Sequence, residues 1–128
     1  MTDERPVLVV DAANVVGSRP DGWWRDRENA ARRLRDALEP LADDHEVVMV
    51  VEGRARGVRS SSGVDVVAAP RSGDDEVVRV VATHTDRGRR VIVATADREL
   101  RRRLTEAGAE VIGPRTLLSQ AEQRRRVT

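Results

Sequence analysis

Short runs of branched apolar residues alternate along the chain with segments whose apolar residues recur at helical spacing. The short runs predict strands at 7–10, 47–51, 64–69, 91–94 and 111–112. The helical spacing predicts helices over 27–39, 74–86, 97–107 and 115–125. Because continuous apolar strands alternate with amphipathic helices, we expect an α/β fold: a three-layer sandwich whose central sheet is mostly parallel and covered by helices on both faces.

The pattern shows no internal repeat and no linker, so we expect a single domain spanning 1–128. The one long irregular segment, "GRARGVRSSSG" at 53–63, predicts an exposed basic loop. In open parallel sheets, ligands bind beyond the carboxyl ends of the strands, at the point where the strand order reverses. Residues that bind a ligand are therefore expected at the carboxyl ends of the strands.

Composition narrows the kinds of core and site that this chain can form. It has no Phe, no Tyr and two Trp, so the core must be built from Val, Leu, Ile and Ala. The absence of Cys excludes disulfides, thiolate metal sites and cysteine nucleophiles. The chain begins with the charged "MTDERP", and no stretch approaches the roughly 18 apolar residues of a spanning helix, so we expect a soluble cytoplasmic protein.

The charge of the chain is nearly balanced, with a formal net charge of +1, and does not by itself indicate a nucleic-acid partner. All 23 basic residues are Arg. Either this bias reflects a GC-rich coding genome, or it serves phosphate binding, for which the guanidinium is well suited. The Arg clusters at 101–103 and 124–126 are accordingly either solvated helix faces or polyanion contacts.

Acidic residues stand at the predicted strand ends. Asp11 ends the first strand, Asp97 follows the fourth, and Asp74 with Asp75 begins the helix that leads into the fourth. If the first and fourth strands are neighbours, these carboxylates converge, and a cation would relieve their repulsion. Oxygen ligands without Cys or His favour Mg²⁺ or Mn²⁺ over zinc.

Most of these acids could instead serve a structural role at the start of a helix. Asp74 and Asp75 lie in "SGDD" and suit the start of a helix, and Asp97 suits a helix cap. Asp11 is harder to explain in this way, because it ends a buried run and the following "AAN" shows no helical period. Asn14 is either a turn residue or a group that orients an acid or the scissile phosphate.

Taken together, the stretches "VVDAANVV", "GDDEVV" and "VIVATADREL" resemble the PIN-like nucleases, and specifically their NYN branch, whose first strand ends in Asp with an Asn three residues later. The motifs span positions 7–100, which is most of the chain. The resemblance implies a parallel sheet of order 3-2-1-4-5 and metal-dependent endoribonuclease activity. Within the branch, the bacterial family tied to ribosome-associated messenger cleavage is the nearest, so the resemblance also implies RNA, and either the ribosome or a regulatory protein, as partners.

The resemblance assigns roles to particular residues. Asp11 and Asp97 match the metal-binding acids at two strand ends, Asp74 and Asp75 match the paired acids at the helix start, and Asn14 matches the polar residue after the first strand. The ions held there would activate a water for in-line attack on the phosphodiester. Which of the paired acids binds the ion, and whether one or two ions bind, stays open.

Two further positions near the strand ends carry polar groups. Family members often have Asp before Gly at the end of the second strand, where this chain departs from the pattern with Glu52. Thr95, which leaves the fourth strand, is either a hydrogen-bond donor to an acid or to the phosphate, or a structural residue.

The segment "SRPDGWWRDR" contains the only aromatic residues of the chain and follows the first strand. Trp23 and Trp24 can stack on unpaired bases, and Arg19, Arg25 and Arg27 can hold backbone phosphates, which makes single-stranded RNA the preferred substrate. Because neighbouring side chains generally point apart, we expect one tryptophan to be buried and the other exposed.

Two other functional classes remain as alternatives. A non-catalytic PIN-like module would keep this fold and bind RNA or a partner protein. Mg²⁺-dependent phosphatases and receiver domains also gather acids at strand ends, but Ala13 stands where such phosphatases have a second Asp, and the chain lacks the Lys of receiver domains. The oligomeric state stays open.

Overall fold

The computed structural model describes residues 4–127, which form a five-stranded parallel sheet flanked by helices, with the strand order β3-β2-β1-β4-β5. The strands are β1 (Val7–Asp11), β2 (Glu46–Val51), β3 (Val64–Ala68), β4 (Val91–Ala94) and β5 (Glu110–Ile112). The helices are α1 (Ala12–Gly17), α2 (Arg27–Leu38), α3 (Gly73–Thr85), α4 (Arg98–Glu106) and α5 (Pro114–Val127). The predicted fold class and strand order are confirmed.

The observed elements differ from the predicted ones mainly where the elements are short. The six-residue helix α1 begins immediately after Asp11, where no helix was predicted. Such a segment is less than two turns long, at 3.6 residues per turn, so its sequence shows no period. Single 3₁₀ segments occupy Trp23–Arg25, Glu39–Asp43 and Gly53–Gly57. The predicted loop at 53–63 is exposed over most of its length, but its first part forms a regular 3₁₀ turn at Gly53–Gly57, and Val58 within it is buried.

The aliphatic core is divided between the two faces of the sheet, because successive strand residues point in opposite directions. Leu8 and Val10 of β1 pack on the face covered by α1, α2 and α5. Val7 and Val9 pack on the face covered by α3 and α4. Trp23 packs against the first cluster from a partly buried position, so the buried cores consist of Val, Leu and Ala, with Met49 on the first face.

The connections between strands place a crevice between β1 and β4. The chain leaves β1 through α1 and α2 on one face of the sheet, whereas it reaches β4 through α3 on the other face. At such a switch point, the adjacent carboxyl ends of the two strands lie open between helices. Among residues 4–127, no helix combines the length and the hydropathy that a bilayer crossing requires.

Two neighbouring leucines of α5 provide a matched test of the packing. Leu117 is fully buried in the core of the first face, whereas Leu118 packs against it only partly buried. We expect Leu117→Ala to lower the free energy of unfolding by about 2–5 kcal/mol, through lost burial and the cavity that remains. Leu118→Ala should cost clearly less. Urea denaturation followed by circular dichroism measures both, and equal losses would contradict the assigned orientation of α5.

Candidate active site at the carboxyl edge of the sheet

Asp11 is a buried carboxylate at the end of the central strand β1, with 4% of its surface exposed. It continues the alternation of Val7 and Val9 and so lies on the side of the sheet covered by α3 and α4. Asp11 occupies the N-cap position of α1, where the backbone of Asn14 is near enough to lower its pKa, although its side chain makes no capping hydrogen bond of regular geometry. Its Oδ2 instead accepts a hydrogen bond of 3.0 Å from the hydroxyl of Thr95.

Thr95 ties the ends of β1 and β4 together. It is fully buried, and while its hydroxyl donates to Asp11, the same oxygen accepts from the backbone N–H of Asp97 at 3.2 Å. Asn14 of α1 adds a second tie, because its Oδ1 accepts from the N–H of Ala96 at 2.7 Å. Asn14 is thus a helix residue that holds the segment after β4, and the alternative of a turn residue is excluded.

The electrostatics of this edge disfavour ionised carboxylates. Burial raises the pKa of Asp11 to about 6, and the charges of Asp74 and Glu52 add to the rise, while the hydrogen bond from Thr95 opposes it. Burial, followed by the charges of Asp97 and Glu52, also raises the pKa of Asp74, although Arg103 lowers it. Asp74 is therefore close enough to the strand ends for its charge to influence Asp11.

The paired acids at the start of α3 have different surroundings. Asp75 is exposed and forms an ion pair of 3.0 Å with Arg103 of α4, whereas Asp74 is partly buried among the other acids. Neither carboxylate caps the helix, because the hydroxyl of Ser72 accepts from the N–H of Asp75. The difference in surroundings favours Asp74 over Asp75 as a partner of Asp11.

Asp97 caps a helix, which was the structural alternative to a role in metal binding. It is the N-cap residue of α4, and its Oδ1 accepts a hydrogen bond of 3.0 Å from the N–H of Leu100. Its charge nevertheless raises the pKa of Asp74. The Asp97 side chain therefore caps α4 and also contributes to the group of acids at this edge. The second oxygen of the carboxylate has no hydrogen bond within residues 4–127.

Glu52 belongs to this edge and was absent from the predicted site. It follows β2 in extended conformation and continues the alternation of Val48 and Val50, which places it on the same side as Asp11. Its Oε2 accepts a hydrogen bond of 3.0 Å from the N–H of Gly73. A Cβ at Gly73 would lie 2.9 Å from the Glu52 carboxyl carbon, so glycine permits the approach. The available signal was that Glu52 ends the second strand as Asp11 ends the first.

The donor set fits a hard cation in its chemistry, because the edge offers only oxygen ligands, and burial with nearby negative charge raises the pKa of Asp11 and Asp74. As the side chains stand, no three His, Cys, Asp or Glu residues within 4–127 are close enough to ligate one ion. The predicted convergence of all four aspartates is therefore incomplete: Asp11, Asp74 and Asp97 share the edge, and Asp75 faces Arg103.

The predicted RNA-contacting residues occupy two places. Trp23 is half-buried, with the guanidinium carbon of Arg27 lying 5.4 Å from its ring centroid, and Trp24 is 55% exposed. The prediction of one buried and one exposed tryptophan is thus right only for Trp24. Arg25 lies 5.8 Å from the Trp24 ring, and the two indoles meet edge to face at 6.2 Å. Arg19 is separate, in a small cleft between α1 and α2.

Two clefts of substantial size lie at opposite ends of the strands. A cleft of about 450 Å³ adjoins the acids and includes Glu52 and Trp23 in its lining. A larger cleft of about 620 Å³ lies between α5 and the amino-terminal ends of the strands, where Pro6, Arg90 and Glu110 contribute to it. Because the acids lie at the carboxyl ends, the larger cleft is remote from them.

Comparison with known proteins shows a relationship of fold. No family model matches the chain, and no curated protein matches it in sequence. The crystal structure of a point mutant of Rae1 (YacP) from Bacillus subtilis superposes with a TM-score of 0.81 at 20% identity, covering 94% of this chain and 77% of that chain. A second crystal structure of Rae1 (YacP) gives a TM-score of 0.79 at 18% identity, with 94% and 75% covered. The protein therefore has the fold of Rae1 (YacP) from Bacillus subtilis.

Proposed function

We propose that this protein is a metal-dependent endoribonuclease of the PIN-like, NYN type that cleaves single-stranded RNA. The observation that carries the proposal is the buried carboxylate of Asp11 at the end of the central strand, with a pKa of about 6 and a hydrogen bond from Thr95. A carboxylate in such a place opposes folding when it is ionised. A bound cation would supply the missing compensation.

Three observations support this proposal. The motifs around Asp11, Asp74 and Asp97 resemble those of NYN nucleases, and the fold is shared with Rae1 over 94% of the chain. The acids also lie at the switch point between β1 and β4, where open parallel sheets bind their ligands. The resemblance to the bacterial family tied to messenger cleavage makes messenger RNA the appropriate first substrate.

In the proposed mechanism, Asp11, Asp74 and Asp97 would move closer together than they stand here to hold Mg²⁺ or Mn²⁺, with Glu52 at the border of the site. When bound, such an ion supplies a water nucleophile at neutral pH and neutralises charge on the phosphodiester. Thr95 and Asn14 are positioning residues, because they fix Asp11 and the backbone beside Asp97 through the hydrogen bonds described above. Asp75 is paired with Arg103, so in this proposal it contributes negative charge near the site and is not a ligand of the ion.

The test is cleavage of a labelled single-stranded RNA by the purified protein with Mg²⁺ or Mn²⁺, beside an EDTA control. Two substitutions of Asp97 separate its roles: Ser keeps a helix N-cap and Ala removes it, while both remove the carboxylate. We expect both variants to lose cleavage by at least about 100-fold, since an ion supplies several kcal/mol of transition-state stabilisation. Only Asp97→Ala should also lose about 1 kcal/mol of stability.

The outcomes distinguish the nuclease from its main alternative. Cleavage that requires metal and fails in both Asp97 variants supports the proposal. Cleavage at wild-type rates by folded Asp97→Ser would show that this carboxylate serves only as a cap and that the assigned site is wrong. RNA binding that is indifferent to EDTA, with no cleavage of any RNA, would instead indicate a non-catalytic binding module of the same fold.

A further inference from the structure

The cleft of about 450 Å³ beside the acids is lined mainly by apolar residues. Its floor consists of small or aliphatic residues, and one wall is the half-buried indole of Trp23. The floor residues are Ala12, Ala13, Val16, Ala31, Val51 and Ala55. Four of these six are alanines, which leave a broad apolar space in front of the indole. Such an apolar space with few polar groups is typical of a small-molecule or base-binding pocket.

The polar groups of the cleft are of two kinds. Arg27 and Arg71 contribute cations, and within residues 4–127 neither forms an ion pair with an acid. The guanidinium carbon of Arg27 lies over the Trp23 ring, 5.4 Å from its centroid, so the two side chains form a cation–π contact. Glu52 is the one carboxylate of the lining, and its Oε1 has no hydrogen bond within the same residues.

The cleft borders the candidate active site through Glu52. Ala12 and Ala13 follow Asp11 directly along the chain, and Glu52 both lines the cleft and raises the pKa of Asp11 and Asp74 through its charge. The cleft lies on the side of the sheet covered by α1 and α2, whereas the acids lie on the side covered by α3 and α4. A ligand that reaches both must therefore cross the carboxyl edge of the sheet.

We infer that this cleft receives one unstacked nucleobase of the RNA, next to the phosphodiester that is cleaved. The inference rests on the proposed function and adds to it a defined base-binding position. Trp23, with the guanidinium of Arg27 over its ring, provides a platform of the kind that holds single-stranded bases, and Arg71 in the same lining can contact a backbone phosphate. Glu52 accepts hydrogen bonds only, so it faces the N–H groups of the base edge.

The geometry also predicts a preference for unpaired RNA. A base can enter a cleft of this size only after leaving its helical stack and its pairing partner, which costs little in a single strand. The exposed indole of Trp24 is outside the lining and is not required for this position. The inference thus assigns the decisive contact to Trp23, the less exposed of the two tryptophans.

The test combines changes in the protein with the removal of single bases from the RNA. Ala13→Leu fills the cleft from an exposed helix position, and Trp23→Ala removes its wall. The probe is a radiolabelled single-stranded 7-mer RNA and a series in which one abasic residue is moved along it. Binding is measured by filter retention in EDTA, where cleavage does not interfere, and cleavage is measured separately with Mn²⁺.

One abasic position in the series should weaken binding by wild-type protein about tenfold, within the range expected for one stacked base. Both cleft variants should bind intact RNA about tenfold more weakly and should bind that abasic RNA no more weakly than wild type does. Arg87→Ala, at an exposed position beyond the far end of α3, is the control and should behave as wild type with every RNA. Circular dichroism verifies that each variant is folded.

Each result bears on one of the two claims. If wild type cleaves RNA while the cleft variants lose equal affinity for intact RNA and for all abasic RNAs, the base-binding position is refuted and the nuclease proposal stands. The same holds if Ala13→Leu binds intact RNA as tightly as wild type. If wild type neither binds nor cleaves any RNA, the proposed function fails, and the base-binding inference falls with it.

Discussion

Replacing Asp11 with asparagine is expected to abolish RNA cleavage and, in the same molecule, to stabilise the fold at neutral pH. Cleavage should fall by at least about 100-fold, because the variant loses a carboxylate ligand of the proposed cation. Stability should rise because asparagine is uncharged and can still accept the hydrogen bond from Thr95. Opposite changes in activity and stability are typical of a site that holds a destabilising charge for function.

The sign of the stability change follows from the pKa. In the folded protein the pKa of Asp11 is raised from 3.8 to about 6, so the folded state keeps a proton that the unfolded state loses in this interval. The favourable contribution of the protonated group is complete below pH 3.8 and is lost as the pH rises through about 6. At 1.36 kcal/mol per unit, the loss at pH 7 is on the order of 2–3 kcal/mol.

Urea denaturation in EDTA, at several pH values between 4 and 7.5, measures this effect. Asp11→Asn should match wild type at the acid end and exceed it by about 2 kcal/mol at neutral pH, with most of the divergence between pH 4 and 6. The other titrating groups are common to both proteins, so the difference isolates Asp11. A variant less stable than wild type at pH 7 would mean that the ionised carboxylate is well accommodated. In that case, the main argument for a cation at this position would be lost.

Thr95→Val is expected to destabilise the protein and to displace the pH dependence of cleavage. The substitution removes the donor to Asp11 at 3.0 Å and the acceptor for the Asp97 N–H at 3.2 Å, in a fully buried position. Losing a buried hydrogen bond to a charged group costs about 1.5–3 kcal/mol. Because the bond from Thr95 lowers the pKa of Asp11, its loss should raise that pKa further and move the acid limb of the pH–rate profile upward.

Thr95→Ser is the matched control, since it keeps the hydroxyl and loses only a methyl group. It should retain the wild-type pH–rate profile while giving up a part of the stability through the small cavity. The two variants should therefore be compared by their pH–rate profiles rather than by their cleavage rates at one pH. If Val and Ser variants had the same profile, Thr95 would contribute packing alone, and its role as a positioning residue would be withdrawn.

The sheet was predictable because its signals are local and strong. Each strand is a run of branched apolar residues, and no observed strand end differs from the predicted one by more than one residue. The pairing of β1 with β4 cannot be predicted from any single apolar run, and it was expected from the resemblance to NYN nucleases. It brings Asp11 and the Asp97 backbone to opposite sides of one hydroxyl, although they are 86 positions apart in the sequence.

The site was less predictable, because side-chain directions at the strand ends depend on partners that are distant along the chain. The hydrogen bond between Glu52 and the N–H of Gly73 joins residues 21 positions apart. Nothing local distinguishes Asp75 from Asp74 until α4 places Arg103 beside the former. The short helix α1 likewise has too few residues to show a period, so the surroundings of Asn14 came only from the structure.

The distribution of aromatic residues has a consequence for spectroscopy. The chain has two Trp, no Tyr and no Phe, and both indoles lie together, 6.2 Å apart, with Trp23 forming a wall of the cleft. The core emits no near-ultraviolet fluorescence of its own, so the whole intrinsic emission of the protein originates at the edge where RNA is proposed to bind. Quenching of that emission during rapid mixing would follow the arrival of a base without an attached dye, and single substitutions of either tryptophan would assign the signal.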